Sequence, residues 1–416
     1  MKKFFLTVFF LWVASASLSA QTIIDCTSSR YDTEVFSSVN TSPNRVFGSN
    51  FNTSGTLVQL SLDVVEPSGD TAAMRPLIIW AHGGSFVTGT RQDNDVVALS
   101  NRFAKRGYVC ASIDYRLGIP FPPDQTGATQ AVYRAVQDMK AAVRYFRQDA
   151  ATTNTYKIDP NRIYVGGSSA GAFTALHLAY LDDVSELPVE IDTVALGNLE
   201  GNSGNPGYPS NVSGVINLCG AIGNRTWMQP NDEPLCSMHG TTDQTVPYAT
   251  ATIFLFNVYP LMVVDGSYSI NEYADQIGVD NTLYTYFGAG HVPYLANAAY
   301  MDTTVRFVSN FLYQQLGCQP SDPNPLPNTF TTTAVNELNL TLPVELFPNP
   351  ASSYCMIRSD EVIREIRVRD LMGRMVLQTA VGRSDFFVNL EQFSAGSYSV
   401  EVIGEQLTGI RKLIVK

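Results

Sequence analysis

Residues 76–81, 108–113 and 162–165 form short apolar runs bounded by glycine or proline, and they lack the apolar–polar alternation of a strand with one wet face. Strands of that kind are covered on both sides, as in a parallel sheet. Between the second and third, Val132, Ala135, Val136, Met139, Ala142, Val143 and Phe146 recur at helical spacing, with Arg134, Lys140 and Arg147 at polar positions. Strand-like runs at 215–218, 235–238 and 283–287 and a last helix around 305–316 continue the alternation. This order predicts an α/β fold: a mainly parallel sheet with helices on both faces. Residues 56–64 do alternate, and are expected to add an antiparallel strand at the sheet's edge.

The alternation ends near residue 318. Residues 319–342 carry Pro320, Pro323, Pro325 and Pro327 and a Thr- and Asn-rich tail, the composition of a linker. Beyond it, short strand-like runs separated by Met372-Gly373 and Ala395-Gly396 predict a small all-β sandwich over 343–416. At the other end, Lys2 and Lys3 precede an apolar run over 4–14 and small residues over 15–20, the layout of a secretory signal cut after Ala20 or Ser19. The expected organisation is therefore 1–20 signal peptide, 21–318 α/β domain, 319–342 linker and 343–416 β-domain. No apolar stretch reaches the ~18–20 residues of a spanning helix, so a soluble exported chain without a transmembrane segment is expected.

With 27 basic and 38 acidic residues the net charge is -11, which excludes a general nucleic-acid surface. Export permits disulfides among the six cysteines. Cys26 and Cys318 flank the α/β region, and a clasp between them is expected to stabilise it by ~2–5 kcal/mol. Cys219 and Cys236 either pair or stay as buried thiols, and Cys110 is a buried thiol on the same reasoning. No CxxC pair points to zinc or redox chemistry, and no cofactor or metal is expected.

The strongest local motif is G-x-S-x-G at Gly167, Ser169 and Gly171, after a strand and before a helix. A nucleophile on such a turn needs glycines because neighbouring backbone approaches where a β-carbon would stand. Upstream, His82-Gly83-Gly84-Ser85-Phe86 follows a strand and can aim backbone N–H groups at a developing oxyanion. Gly83, Gly84 and the N–H of Ala170 are the candidate donors.

A serine hydroxyl needs a base, and the histidines number four. His82 belongs to the glycine loop, His177 lies about two turns along the helix after Ser169, and His239 closes a strand as a packed structural residue. His291, in Gly288-Ala289-Gly290-His291-Val292-Pro293, sits on a flexible loop after a strand and is the candidate base. Asp243, between serine and histidine in chain order, is the candidate orienting carboxylate, with Asp232, Glu233 and Asp265 as alternatives. Ser85, Phe86, Tyr208 and Trp227 are candidate pocket walls, and residues 186–213 a mobile or cap-like loop over the pocket.

Residues 56–316 resemble the α/β-hydrolase superfamily, nearest to secreted carboxylesterases, through HGGSF, GGSSAG, HGTTDQTVPY and GAGHVPY taken together. The resemblance implies a Ser-His-Asp hydrolase acting on a small or polymer-borne ester. Ser85 departs from the H-G-G-G form of the lipase-like oxyanion loop. A peptidase with the same triad, or a binding protein on a non-catalytic hydrolase fold, are the alternative readings. Phe347-Pro348-Asn349-Pro350-Ala351, Asp370-Leu371-Met372-Gly373-Arg374 and the basic end at Arg411-Lys412 resemble the sorting domain of type IX secretion cargo in Bacteroidetes. That resemblance implies the type IX machinery as a partner and a location outside the outer membrane.

Overall fold

The computed structural model describes residues 24–256, 258–321, 342–370, 374–404 and 408–416. The expected signal segment, most of the linker and the Met372-Gly373 turn lie outside them. The strands are β1 (Val39–Phe51), β2 (Leu57–Pro67), β3 (Arg75–Ala81), β4 (Val109–Ile113), β5 (Ile158–Ser168), β6 (Val215–Leu218), β7 (Ala221–Ile222), β8 (Leu235–Gly240), β9 (Ala251–Leu255), β10 (Tyr259–Gly266) and β11 (Asn281–Tyr286). The helices are α1 (Asn94–Ala104), α2 (Gln125–Ala151), α3 (Ala170–Tyr180), α4 (Thr193–Leu196), α5 (Ser267–Ile277), α6 (Pro293–Ala296) and α7 (Ala298–Gln315).

Eight strands make one sheet in the order β1-β2-β4-β3-β5-β6-β8-β11. From β4 to β11 every neighbour is parallel, and β2 joins β4 antiparallel with β1 outside it. The unbroken apolar runs follow from this placement, because successive side chains of a strand point to opposite faces. Leu77, Ile79 and Ala81 of β3 pack with α2, α3 and α5, through residues such as Met139, Leu176 and Ile270. Ile78 and Trp80 pack on the other side with Leu99 and Phe103 of α1 and Phe311 of α7. Two apolar layers thus clamp the sheet, and the loops after its parallel strands are left free at one edge.

Sequence periodicity gives no sign of two elements. β1 is a largely polar edge strand, recognisable only through its pairing with β2. β9 and β10 form an antiparallel hairpin between the fifth parallel strand, β8, and α5, and β10 also pairs with β7. Residues 198–210, within the expected cap-like loop, are instead pinned along α2. Glu200 pairs with Lys140 and Arg144 at 2.9 and 3.0 Å, and the Ser203 hydroxyl donates to buried Asp138 at 2.5 Å.

In the C-terminal region, β12 (Val344–Phe347), β13 (Tyr354–Asp370), β14 (Met375–Asn389), β15 (Gly396–Ile403) and β16 (Thr408–Val415) form a five-stranded antiparallel sheet. The expected sandwich takes this single-sheet form because β13, 17 residues long, carries β12 along its first half and β15 along its second, with β14 on its other edge. This sheet packs on the α/β unit through Met356, which is buried with Tyr248, Tyr268 and Phe287. Phe387 stacks on Tyr268 at 5.1 Å, the Arg358 guanidinium lies 4.2 Å from the Phe287 ring centre, and the Tyr354 hydroxyl donates to Thr241 O at 3.0 Å.

Cys26 and Cys318 are joined by a disulfide across a sequence separation of 292, whereas Cys110, Cys219, Cys236 and Cys355 are buried free thiols. The bond ties the first described segment to the chain just past α7 and restricts the unfolded chain. Replacing Cys26 by Ser is expected to cost ~2–5 kcal/mol, read as a lower denaturant midpoint in non-reducing buffer. An unchanged midpoint would contradict a stabilising clasp.

Candidate active site

Parallel strands deliver their following loops to one edge, and four of those loops meet here. The turn after β5 carries Ser169, whose backbone is held at φ 54 and ψ -117. Such a conformation costs a residue with a side chain ~1–3 kcal/mol and persists only where packing enforces it. The flanking glycines show what enforces it. A β-carbon on Gly167 would stand 2.3 Å from the carbonyl carbon of Gly171, and one on Gly171 would stand 2.0 Å from Ala81 O. Helix α3 can therefore press directly onto the end of β3, with all 11 of its residues buried.

The loop after β3 holds the candidate oxyanion donors. A β-carbon on Gly83 would lie 3.5 Å from Ser169 Cβ, so this backbone borders the serine. Gly84 has φ +106, and a side chain there would meet Thr88 O. Ser85 and Phe86 follow at φ 54 and 61, and Gly84 O accepts the N–H groups of Val87 and Thr88. Beneath the loop, buried His82 stacks on Tyr115 at 4.3 Å and bonds Gly83 O through Nδ1 at 2.6 Å, while the Tyr115 hydroxyl donates to His82 O at 2.9 Å. Ala170 opens α3, whose first N–H groups lack intrahelical acceptors.

The loops after β8 and β11 bring the other two side chains to the serine. His291 Nε2 lies 2.8 Å from Ser169 Oγ, and its Nδ1 lies 2.6 Å from Asp243 Oδ2. Asp243 Oδ1 accepts the N–H groups of Thr245 and Val246 at 2.8 and 2.9 Å, which fixes the carboxylate plane. His239 Nε2 also stands 3.2 Å from Asp243 Oδ2 and 3.1 Å from Val246 O, so that nitrogen carries a proton, and Nδ1 meets Ser267 Oγ at 2.7 Å. Burial by itself would raise the Asp243 carboxyl, but the hydrogen bonds from His239 and His291 outweigh it and hold the group well below the usual carboxylate range. The carboxylate is therefore charged throughout the neutral range. Thr241 links the two loops, since its hydroxyl accepts Gly288 N–H at 2.9 Å.

Cys219 shares this neighbourhood: its sulfur and the nearest atoms of Asp243 and His291 lie within 4.8 Å of one another. Burial pushes the thiol well above its ordinary range, so it stays protonated. His291 Nδ1 is already bonded to Asp243 and the thiol keeps its proton, so these three groups do not suit a metal cage. Asp265 is engaged by Arg225 and Thr250, and Asp232 by Gln229 N–H, so neither serves His291. Glu233 lies beside Tyr180, whose hydroxyl donates to its carbonyl.

Residues 62–223 match the BD-FAE family, and residues 345–416 match the secretion system C-terminal sorting domain. Residues 62–223 thus carry the match to an esterase-type α/β-hydrolase domain, and residues 345–416 the match to a sorting domain. It is similar to Gut esterase 1 of Caenorhabditis elegans, 28% identical over 29% of this chain and 20% of that protein. It is also similar to the quorum-quenching protein AidA of Acinetobacter baumannii, 32% identical over 30% of this chain and 37% of that protein. Among solved structures, a truncated carbohydrate esterase from gut microbiota aligns with 19% identity and a TM-score of 0.48, over 69% of this chain and 99% of that one. The chain spans 20% of the length of the first curated relatives it matches.

Beside Ser169 lies a cavity of about 370 Å³ bordered by Ser85, Phe86 and Trp227. Tyr208 is not part of it. Because Glu200 and Ser203 bind their segment to α2, and Arg147 donates to Pro209 O at 2.7 Å, Tyr208 sits far along the helix beside Arg147 and Pro160. The hairpin β9–β10 supplies the missing wall. Residues 186–191 do reach the cavity, through Glu186, Pro188, Glu190 and Ile191.

His177 also borders the cavity as a buried neutral ring. Its Nδ1–H donates to Phe173 O at 2.7 Å, and its Nε2 accepts Gly223 N–H at 3.2 Å, an arrangement that a proton on Nε2 would break. Burial lowers its pKa to about 4. Between that value and the ordinary imidazole value of ~6.5 the unfolded chain binds a proton that the folded chain refuses, so stability falls as pH drops through this window. The loss should approach ~3 kcal/mol by pH 4. In His177→Phe the slope of unfolding free energy against pH should flatten over that range, and an unchanged slope would contradict this assignment.

Proposed function

We propose that the chain is an exported serine hydrolase that cleaves carboxylic esters through an acyl-enzyme. The observation that carries this reading is the continuous hydrogen-bonded path from Asp243 through His291 to Ser169, 2.6 and 2.8 Å in its two steps. Ser169 Oγ attacks the ester carbonyl while His291 Nε2 takes its proton. Asp243 fixes the tautomer and stabilises the imidazolium. The N–H groups of Ala170 and of Gly83 or Gly84 receive the oxyanion, and His291 then returns the proton to the leaving alcohol. Water repeats the sequence on the acyl-serine and releases the acid. The esterase names among the relatives support ester substrates.

The sorting domain supports passage through type IX secretion machinery to the cell surface or beyond, with the expected 1–20 signal removed on the way. Among the described residues no helix is long and apolar enough to cross a membrane.

Ser169→Ala should lower kcat on a chromogenic ester by ~10³-fold or more, and Asp243→Asn by ~10³–10⁴-fold, with unfolding transitions kept. Full turnover in Ser169→Ala would remove this residue as nucleophile.

A further inference from the structure

Ester cleavage places the two halves of a substrate on different sides of the nucleophile. The leaving alcohol must face His291 Nε2, which protonates it, so the acyl half extends toward the oxyanion loop and the helix behind the serine. The cavity of about 370 Å³ lies on that second side, since its walls include Ser85 and Phe86 of the oxyanion loop and Ser169 and Ala170 at the elbow. Further in, Val132 and Val136 of α2, Phe173 of α3, and Ile253, Met262 and Val264 of the β9–β10 hairpin make it apolar.

Several polar side chains in the wall are already bonded within the protein, while Glu186 and Glu190 are only half-buried. Besides His177, the Tyr133 hydroxyl donates to Gly197 O at 3.0 Å, Gln125 donates to Glu190 at 2.7 Å, and Asn224 Oδ1 accepts Thr226 N–H at 3.0 Å. An acyl group bearing its own hydroxyls would lose water among Val132, Val136, Phe173 and the hairpin side chains without a matched partner there. An acetyl group would leave most of the volume unfilled, since pockets of ~300–1,000 Å³ enclose drug-sized ligands.

We infer that the site selects esters of aliphatic acids longer than acetate, and that the β9–β10 hairpin is the wall that sets this preference. The inference rests on the ester-hydrolase reading above. Each methylene buried should raise kcat/KM by roughly fourfold.

The test uses the full chain and p-nitrophenyl acetate, butyrate, hexanoate and octanoate below their aggregation limits, so that the leaving group is constant, together with a p-nitrophenyl hydroxycinnamate. The expected result is a rise in kcat/KM of roughly a hundredfold or more from acetate to the best chain, with the hydroxycinnamate below hexanoate. A maximum at acetate, or a hydroxycinnamate above hexanoate, would overturn the inference while leaving ester hydrolysis intact. Ile253→Trp, at a half-buried position of β9, should lower the octanoate-to-acetate ratio by roughly tenfold or more by filling the cavity. An unchanged ratio would overturn the hairpin's role. Hydrolysis of none of these esters, or equal hydrolysis by Ser169→Ala, would overturn the catalytic reading and this inference with it.

Discussion

The contact between α3 and the end of β3 governs everything at the candidate site. Only glycine at 167 and 171 lets the two backbones meet, and once they meet, the turn between β5 and α3 has no room to relax. Ser169 is then held at positive φ at the sheet's carboxyl edge. The local strain of ~1–3 kcal/mol is small against the burial of the whole of α3, so packing of the sheet and helices sets the nucleophile's position. The same parallel geometry delivers the loops of β3, β8 and β11 to that edge.

Electrostatics completes the arrangement. A buried carboxylate is tolerated only where donors surround it, and Asp243 has two backbone N–H groups on one oxygen and two imidazoles on the other. His239 thus supports the relay without touching the serine. Thr241 joins the loops of Asp243 and His291, and the Tyr354 hydroxyl of the C-terminal sheet rests on its carbonyl. The domain whose family role is sorting consequently packs against the back of the candidate site.

Legibility in the sequence followed physical cause. The parallel strands were readable because burial on both faces abolishes alternation, and Ser169, Asp243 and His291 could be singled out because the fold imposes their order along the chain. His239 was expected to be only a packing residue, since nothing in a strand pattern reveals that its ring reaches a carboxylate four residues on. The β9–β10 hairpin was invisible because its apolar residues are divided between the cavity, solvent and the edge of the core, and so follow no single periodicity. Tyr208 was placed at the pocket by loop proximity alone, whereas ion pairs between Glu200 and α2 carry its segment away.

The central claim is that Ser169 is an activated nucleophile, and covalent capture tests it most directly. A fluorophosphonate probe added to the full chain, followed by peptide mass mapping, should mark Ser169 and give little modification in His291→Ala. Labelling of another serine, or undiminished labelling of Ser169 without His291, would contradict the account.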